Sequence, residues 1–407
     1  MAPSITHSDP EWFNDPDHRE LSWIYLRRAV EASNRRILES LWPHGCPDNT
    51  PTAANVEEAA AHLWHDHNAG KEQPAERFSK DPRADQQLAH TNGWRLVTPD
   101  SPDWPLNLTS AFAPSFWDEQ ADDTVRGQST APFALWVAGT GSLDSLTKKS
   151  ITIVGTRAIT GYGADVTRHF ATELGREGYT IVSGGADGVD RIAHTQALED
   201  GNNTAAILAC GVDVPYPRKN QEMLNRIKDS GGLIISEYAP GTPPARHRFL
   251  TRNRLVAGIS QGTLMTEAPY RSGAINTMNW AESMGRPTFA VPGPITSVSS
   301  QGCLVRLAEH RATMALRAED IRAEVEPLGT QLELDWITQD GSSTQRLLSW
   351  EQTAVFDAAG TQSDSAGTLA TMIEDTGLSV HRVMVTIREL EDFGLIVRHA
   401  DRWVKTR

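Results

Sequence analysis

From residue 150 onward the chain alternates short apolar runs with helical segments. The runs are ITIVG, YTIVSGG, TAAILACG, GLIISE, GTLMTEA and PTFAVPG. Between the first two, Val166, Phe170 and Leu174 recur at every fourth position, as one face of a helix does. Strands that stay apolar on both sides are buried on both sides, and strands separated by helices pair in parallel. The pattern predicts an α/β domain over about 150–320, a Rossmann-like, doubly wound and mostly parallel sheet.

The flanks read differently. Residues 1–93 carry patches such as LSWIYLRRAVEASNRRILESLW, where Leu21, Ile24, Tyr25 and Arg28 share one helical face, and so predict a helical N-terminal region. GWRLVTPDSPDWPLNL and APFALWVAGTGSL read as short strands or extended connectors, which makes the α/β domain with its lead-in 94–321. Weak periodicity over 322–350 predicts a linker. Residues 351–407 then read as helix, a Thr-Gly-Leu-Ser turn, a second helix and the two-stranded LIVRHADRWVKT, the order of a winged helix.

In an open α/β sheet, ligands sit beyond the carboxyl ends of the strands. GTR (155–157), SGG (183–185) and EAPYRSGA (267–274) all fall there. Glycines beside a helix start suit a phosphate, whether of a dinucleotide, a nucleoside or a nucleic-acid backbone. VGTRAITGYG lacks the Gly-Lys-Ser/Thr of a Walker loop, and neither it nor SGGADG has GxGxxG spacing. No cofactor is implied.

Composition narrows the choice. The 407 residues are 39% hydrophobic and 22% charged, ordinary for a soluble protein, and no apolar stretch reaches the ~18 residues of a membrane span. A cytoplasmic protein is expected. Cys46, Cys210 and Cys303 form no CxxC, and His62, His65 and His67 specify no further ligand, so no disulfide framework and no metal is expected. A formal charge of −14 confines any nucleic-acid site to a local patch.

One stretch fits such a patch. Residues 238–266 contain no Asp or Glu, yet hold Arg246, His247, Arg248, Arg252 and Arg254 around Phe249. Guanidinium groups fork onto phosphates and an aromatic face stacks a base, a pairing suited to single-stranded nucleic acid. Thr251 reads as the N-cap of RNRLVAG, which would put Arg252 and Arg254 in a first turn that calls for an anion. Ser272, Gly273 and Ala274 open another helix after a strand and offer a second phosphate seat. Asp190 and His194 lie four apart on one helix face; with no nucleophile beside them, Asp190 is expected to brace the helix start and His194 to pack.

Taken together, GWRLVTP, IVGTRAITGYG, IVSGGADGVDRIAH, ILACGVDVPYPRKN, SEYAPGTPP, FLTRNRLVAGIS, EAPYRSGAINT, AVPGPI and SQGC occur in the order found in the DNA-processing protein A family, DprA or Smf. The chain resembles that family over about 94–320. The resemblance implies a cytoplasmic, homodimeric protein that binds single-stranded DNA in natural transformation and recombination, protects it and loads the RecA recombinase. It implies no catalytic activity. By motif match, Arg157 would hold a backbone phosphate, Gly184, Gly185, Ser272, Gly273 and Ala274 would offer backbone N–H groups, and Arg246, Arg248, Phe249, Arg252, Asn253 and Arg254 would line the pocket. Two positions depart from the family bend: Gly185 replaces a leucine, and Asp187 stands where a basic or small residue is usual. An acid at the rim would oppose phosphate unless it is paired.

Two other functions compete. GTLMTEA with Glu267 is similar to part of the signature of nucleoside-monophosphate phosphoribohydrolases, but GISQ stands where their Pro-Gly-Gly belongs. A winged-helix DNA-binding regulator is the other, although residues 366–407 balance six Lys and Arg against six Asp and Glu.

Overall fold

The computed structural model describes residues 9–31, 35–42, 53–68, 77, 80–117, 131–326, 350–360, 367–399 and 402–406. The chain divides into two compact units, Met1–Thr330 and Gln331–Arg407.

The first unit opens with helices α1 (His18–Ala29), α2 (Arg35–Leu41), α3 (Ala53–Asn68) and α4 (Pro82–Asn92). Asp81 caps α4 by accepting from the Arg83 N–H, Pro82 starts it, and Gly93 closes it in the left-handed conformation. The face expected on α1 is buried at Leu21, Ile24 and Tyr25, but Ser22, Trp23, Leu26, Arg27 and Ala29 are buried too. This helix is enclosed nearly all round rather than laid on a surface: most of its face packs with Trp12, Leu38, Val56 and Phe133, while Ile24 packs with Trp136 and Ile234 of the sheet.

A nine-stranded sheet follows: β1 (Trp94–Val97), β2 (Leu135–Ala138), β3 (Ser150–Gly155), β4 (Thr180–Ser183), β5 (Thr204–Leu208), β6 (Leu233–Ser236), β7 (Gly262–Glu267), β8 (Thr288–Ala290) and β9 (Thr313–Met314). Their order across the sheet is β1-β2-β6-β5-β4-β3-β7-β8-β9. All six apolar runs became neighbouring parallel strands, with registers such as Ile151↔Ile181 and Ala205↔Leu233. The lead-in segments joined the same sheet as an antiparallel edge, Trp94↔Ala138 and Trp136↔Ser236.

Helices α5 (Leu106–Trp117), α6 (Leu143–Lys148), α7 (Gly161–Arg176), α8 (Val189–Glu199), α9 (Gln221–Asp229), α10 (Arg246–Gly258), α11 (Gly273–Ser283), α12 (Gln301–Ala308) and α13 (Ala318–Val325) cover the sheet. Alternate strand residues serve opposite faces. Val154, Val182, Ile207 and Met265 pack with Phe112, Val256 and Met278, whereas Ile153, Ile181 and Leu264 pack with Phe170, Leu174 and Ala193. The period-two geometry of a strand thus explains why these runs are apolar at every position.

Most of the expected linker, 327–349, lies outside the described residues. The second unit holds α14 (Trp350–Ala358), α15 (Leu369–Thr376), α16 (Val380–Asp392) and the antiparallel pair β10 (Ile396–His399) and β11 (Arg402–Lys405). The turn expected at 376–379 is present: Gly377 ends α15 in the left-handed conformation and the Ser379 hydroxyl accepts from the Arg382 N–H to start α16. Val355, Met372, Ile387, Leu390 and Trp403 form its core. No described helix is long and apolar enough to cross a membrane.

Candidate nucleic-acid interface

β4 and β7 pair on opposite sides of β3, so the chain connections diverge there and leave a crevice beyond their carboxyl ends. That crevice is a cavity of about 710 Å³. Its walls come from Gly155 to Arg157 at the end of β3, Gly184 after β4, Pro269 and Arg271 to Ala274 leading from β7 into α11, and the flank of α10.

Helix α10 begins earlier than its sequence suggests. Its first residue is Arg246 and its N-cap is Ala245, which makes no side-chain capping bond. The prolines at 243 and 244 keep it from beginning earlier still, and Thr251 sits mid-helix, its hydroxyl donating to the His247 carbonyl four residues back. The arginines of the first turn are therefore Arg246 and Arg248, not Arg252 and Arg254. Arg248 is neutralised by Glu31, which follows α1, and also donates to the Pro243 carbonyl. Arg246 is exposed on the cavity wall and makes no ion pair with the described residues.

An aromatic and cationic cluster marks the mouth. The guanidinium of Arg157 lies 5.3 Å from the Phe249 ring centroid, and the Tyr216 ring tilts against the same Phe249 at 5.4 Å. Arg157, Arg271 and Tyr216 are all exposed.

The floor is built differently. Arg252 is buried and its guanidinium donates to the carbonyls of Gly184, at 2.5 Å, and Ile207. Burial lowers its pKa, and the carboxylate of Asp190 opposes that shift. Gly184 accommodates the contact only because it lacks a side chain: a Cβ there would stand 2.5 Å from Arg252 Nη1. Asp190 accepts from the Ala186 N–H at 3.2 Å and so braces the bend before α8. Its pKa is raised by burial, against the pull of Arg252. His194 does not meet it; the His194 Nδ1 lies 2.7 Å from Thr204 Oγ1, which itself donates to the Ile181 carbonyl, so Nδ1 is the donor.

Of the twelve residues singled out from sequence, the fold brings Arg157, Gly184, Arg246, Phe249, Arg252, Asn253, Ser272, Gly273 and Ala274 onto this one cavity. Asn253 reaches the Gly273 carbonyl and Asn276, tying α10 to the start of α11. Ser272 caps α11 by accepting from the Ala274 N–H at 3.3 Å. Three residues are elsewhere. Arg254, two residues and about 200° of helical rotation past Arg252, points the other way and pairs with Glu237 at 2.7 Å, where Arg27 of α1 also arrives at 3.5 Å. Arg248 is held by Glu31, and Gly185 is buried with its carbonyl accepting from Asn220. These three do not line the cavity.

Glu267, the carboxylate of the phosphoribohydrolase comparison, is off the cavity as well. It is buried and accepts from the Thr160 N–H at 2.9 Å and hydroxyl at 2.7 Å, which anchors the start of α7. Among the described residues, no cluster of three or more His, Cys, Asp or Glu suits a metal ion.

Residues 96–326 match the model of a family described as DNA recombination-mediator protein A. The chain belongs to that family. Its relatives include the putative DNA processing protein DprA of Mycobacterium tuberculosis, 35% identical over 392 residues that cover 96% of this chain and 94% of the relative. The DNA processing protein DprA of Streptococcus pneumoniae is 38% identical over 186 residues, 46% of this chain and 65% of its own. The X-ray structure of DNA processing protein A from Streptococcus pneumoniae superposes with a TM-score of 0.56 at 29% identity, covering 74% of this chain and 96% of that one.

In this DNA recombination-mediator protein A family member, sequence reasoning left Tyr216 and Arg271 out of the site. The only signal for Tyr216 was an aromatic inside VPYPRKN; for Arg271 it was its place just ahead of Ser272. Asp187, the departure from the family bend, is tied to Lys219 and does not line the main cavity. That partner holds its carboxyl below the ordinary range.

Proposed function

We propose that this chain binds single-stranded DNA in the cavity at the ends of β3, β4 and β7, as a recombination mediator that covers the strand and passes it to RecA. One observation carries the reading: Arg157 and Tyr216 both pack against the half-buried ring of Phe249 while Arg246 and Arg271 line the same walls. Stacking on an aromatic ring and forked contacts to phosphates need no particular base, as a mediator that must accept any strand requires. Buried Arg252, Asp190 and Asn253 serve as its frame, holding the backbone of Gly184 and Gly273 in place.

Membership in a family of DNA recombination mediators supports the same reading. We assign residues 94–321 to the Rossmann-like domain, 351–407 to a winged helix, and the working form to a cytoplasmic homodimer. The exposed Met314 on edge strand β9 and exposed Leu316 beside it supply apolar surface for a second copy. In the C-terminal unit, α16 exposes Val380, Met384 and Val385, a surface better suited to a protein partner than to duplex phosphates.

The test is a comparison of affinity for oligo-dT and for duplex of equal length at physiological salt, with the full chain. Tighter binding to the single strand, with an affinity that falls as salt rises, is expected. Equal or tighter binding to duplex would overturn the assignment.

A further inference from the structure

A second depression, of about 420 Å³, opens between α7 and α8 and is lined by Arg157, Arg168, Asp187, Arg191, Thr195 and Gln196 among others. Arg157 belongs to both depressions. Their junction is tight, because Gly188 has φ +77° and a Cβ on it would stand 2.2 Å from the Thr156 carbonyl and 2.7 Å from Arg157 Cα. The start of α8 is thereby pressed against the Arg157 backbone, so whatever rests on Arg157 in the first cavity lies at the entrance to the second.

The charges in this groove are arranged unevenly. Arg191 is exposed and makes no ion pair with the described residues, and Arg168 has only the exposed Asp165 on its own helix, at 2.8 Å. Asp187 is already committed to Lys219, which leaves Glu199, at the end of α8, as the remaining carboxylate of the lining. Thr195 adds a hydroxyl that can hydrogen-bond phosphate and sugar oxygens, while the Gln196 amide donates to Asp200 at 3.0 Å.

We propose that a DNA strand seated in the first cavity leaves it across Arg157 and runs on between α7 and α8, where Arg191 and Arg168 meet its next phosphates. The inference rests on the single-strand reading above and extends it to the length of strand the protein takes. The groove recognises backbone alone, since none of the described residues lining it is aromatic.

The experiment measures binding of the full chain to oligo-dT of about 5 and about 15 nucleotides, lengths within the usual range of single-strand sites. It is repeated with the double variant Arg168→Gln/Arg191→Gln. The wild type should bind the longer strand more tightly. The double variant should lose about 10-fold on the longer strand and flatten its salt slope by about 1.4, or about 0.7 for each phosphate contact removed. Its affinity for the short strand should match that of the wild type. Unchanged affinity and slope on the longer strand, or an equal loss at both lengths, would overturn the groove while leaving the first cavity standing. Failure of the wild type to bind either length would instead remove the single-strand reading and the groove with it.

Discussion

Arg157 rests its guanidinium over the ring of Phe249, 5.3 Å from the centroid, although one residue follows β3 and the other lies in the first turn of α10. The contact pre-positions a cation beside a stacking surface, so both are expected to act on one nucleotide. Phe249→Ala should weaken oligo-dT binding by about 5-fold or more, since base stacking contributes about 1–3 kcal/mol. Arg157→Ala should weaken it too and lower the salt slope by about 0.7. The double variant should lose less than the sum of the two, because each removal also disturbs the other residue. Fluorescence anisotropy across a salt series checks all three.

Arg254 and Arg246 separate structure from binding. Arg254 is buried on Glu237 beside Arg27, whose own pKa burial draws down to about 10. Arg254→Ala leaves the Glu237 carboxylate inside without its closer partner and should cost about 3–5 kcal/mol of stability, read from urea denaturation. Arg246→Ala touches an exposed side chain and should leave the urea midpoint in place while weakening DNA binding. A loss of DNA affinity in the still-folded Arg254 variant as large as that in Arg246→Ala would show that the helix face has been misassigned.

Asp187 and Lys219 form an ion pair at the rim of the second groove. Exposed pairs contribute little to stability, about 0–1 kcal/mol, so Asp187→Asn should barely move the denaturation midpoint. It releases Lys219 toward a phosphate. Single-strand affinity should rise several-fold and the salt slope should steepen by about 0.7. No change in either would mean that Lys219 stays clear of the strand.

His194 predicts how the fold responds to acid. Burial holds it down to about 3, against an ordinary 6.5, and it is neutral as it donates to Thr204. The folded value lies below the unfolded one, so between them the unfolded chain binds the extra proton. Stability should therefore fall as pH drops from 6.5 toward 3, by about 1.4 kcal/mol per unit from this residue alone. His194→Gln should lose less stability than the wild type between about pH 7 and about pH 5 in urea titrations. A parallel pH dependence in the two proteins would exclude His194 as the source.

The six parallel strands were legible because a strand covered on both faces is apolar at nearly every position, and these runs recur with a helical segment between each pair. The start of α10 was misread for an equally physical reason. Thr251 has the side chain of a cap, but the helix begins at Arg246, just past two prolines, and the hydroxyl of Thr251 turns to a carbonyl in its own helix. Tyr216 gave almost no sign of itself, since its contact with Phe249 spans 33 positions of chain.

The basic stretch around Phe249 shows where the boundary lies. Residue types and spacing were enough to place arginines and an aromatic ring at the ends of a parallel sheet, because helix and strand periods act over a few residues. They were not enough to say which arginines remain available. Local sequence shows no acid between residues 238 and 266, yet Glu237 takes Arg254, Glu31 takes Arg248, and the carbonyls of Gly184 and Ile207 take Arg252. Those partners arrive from α1 and from neighbouring strands. Charge in a folded chain is neutralised by whatever lies within a few ångströms, and only the tertiary structure decides what that is.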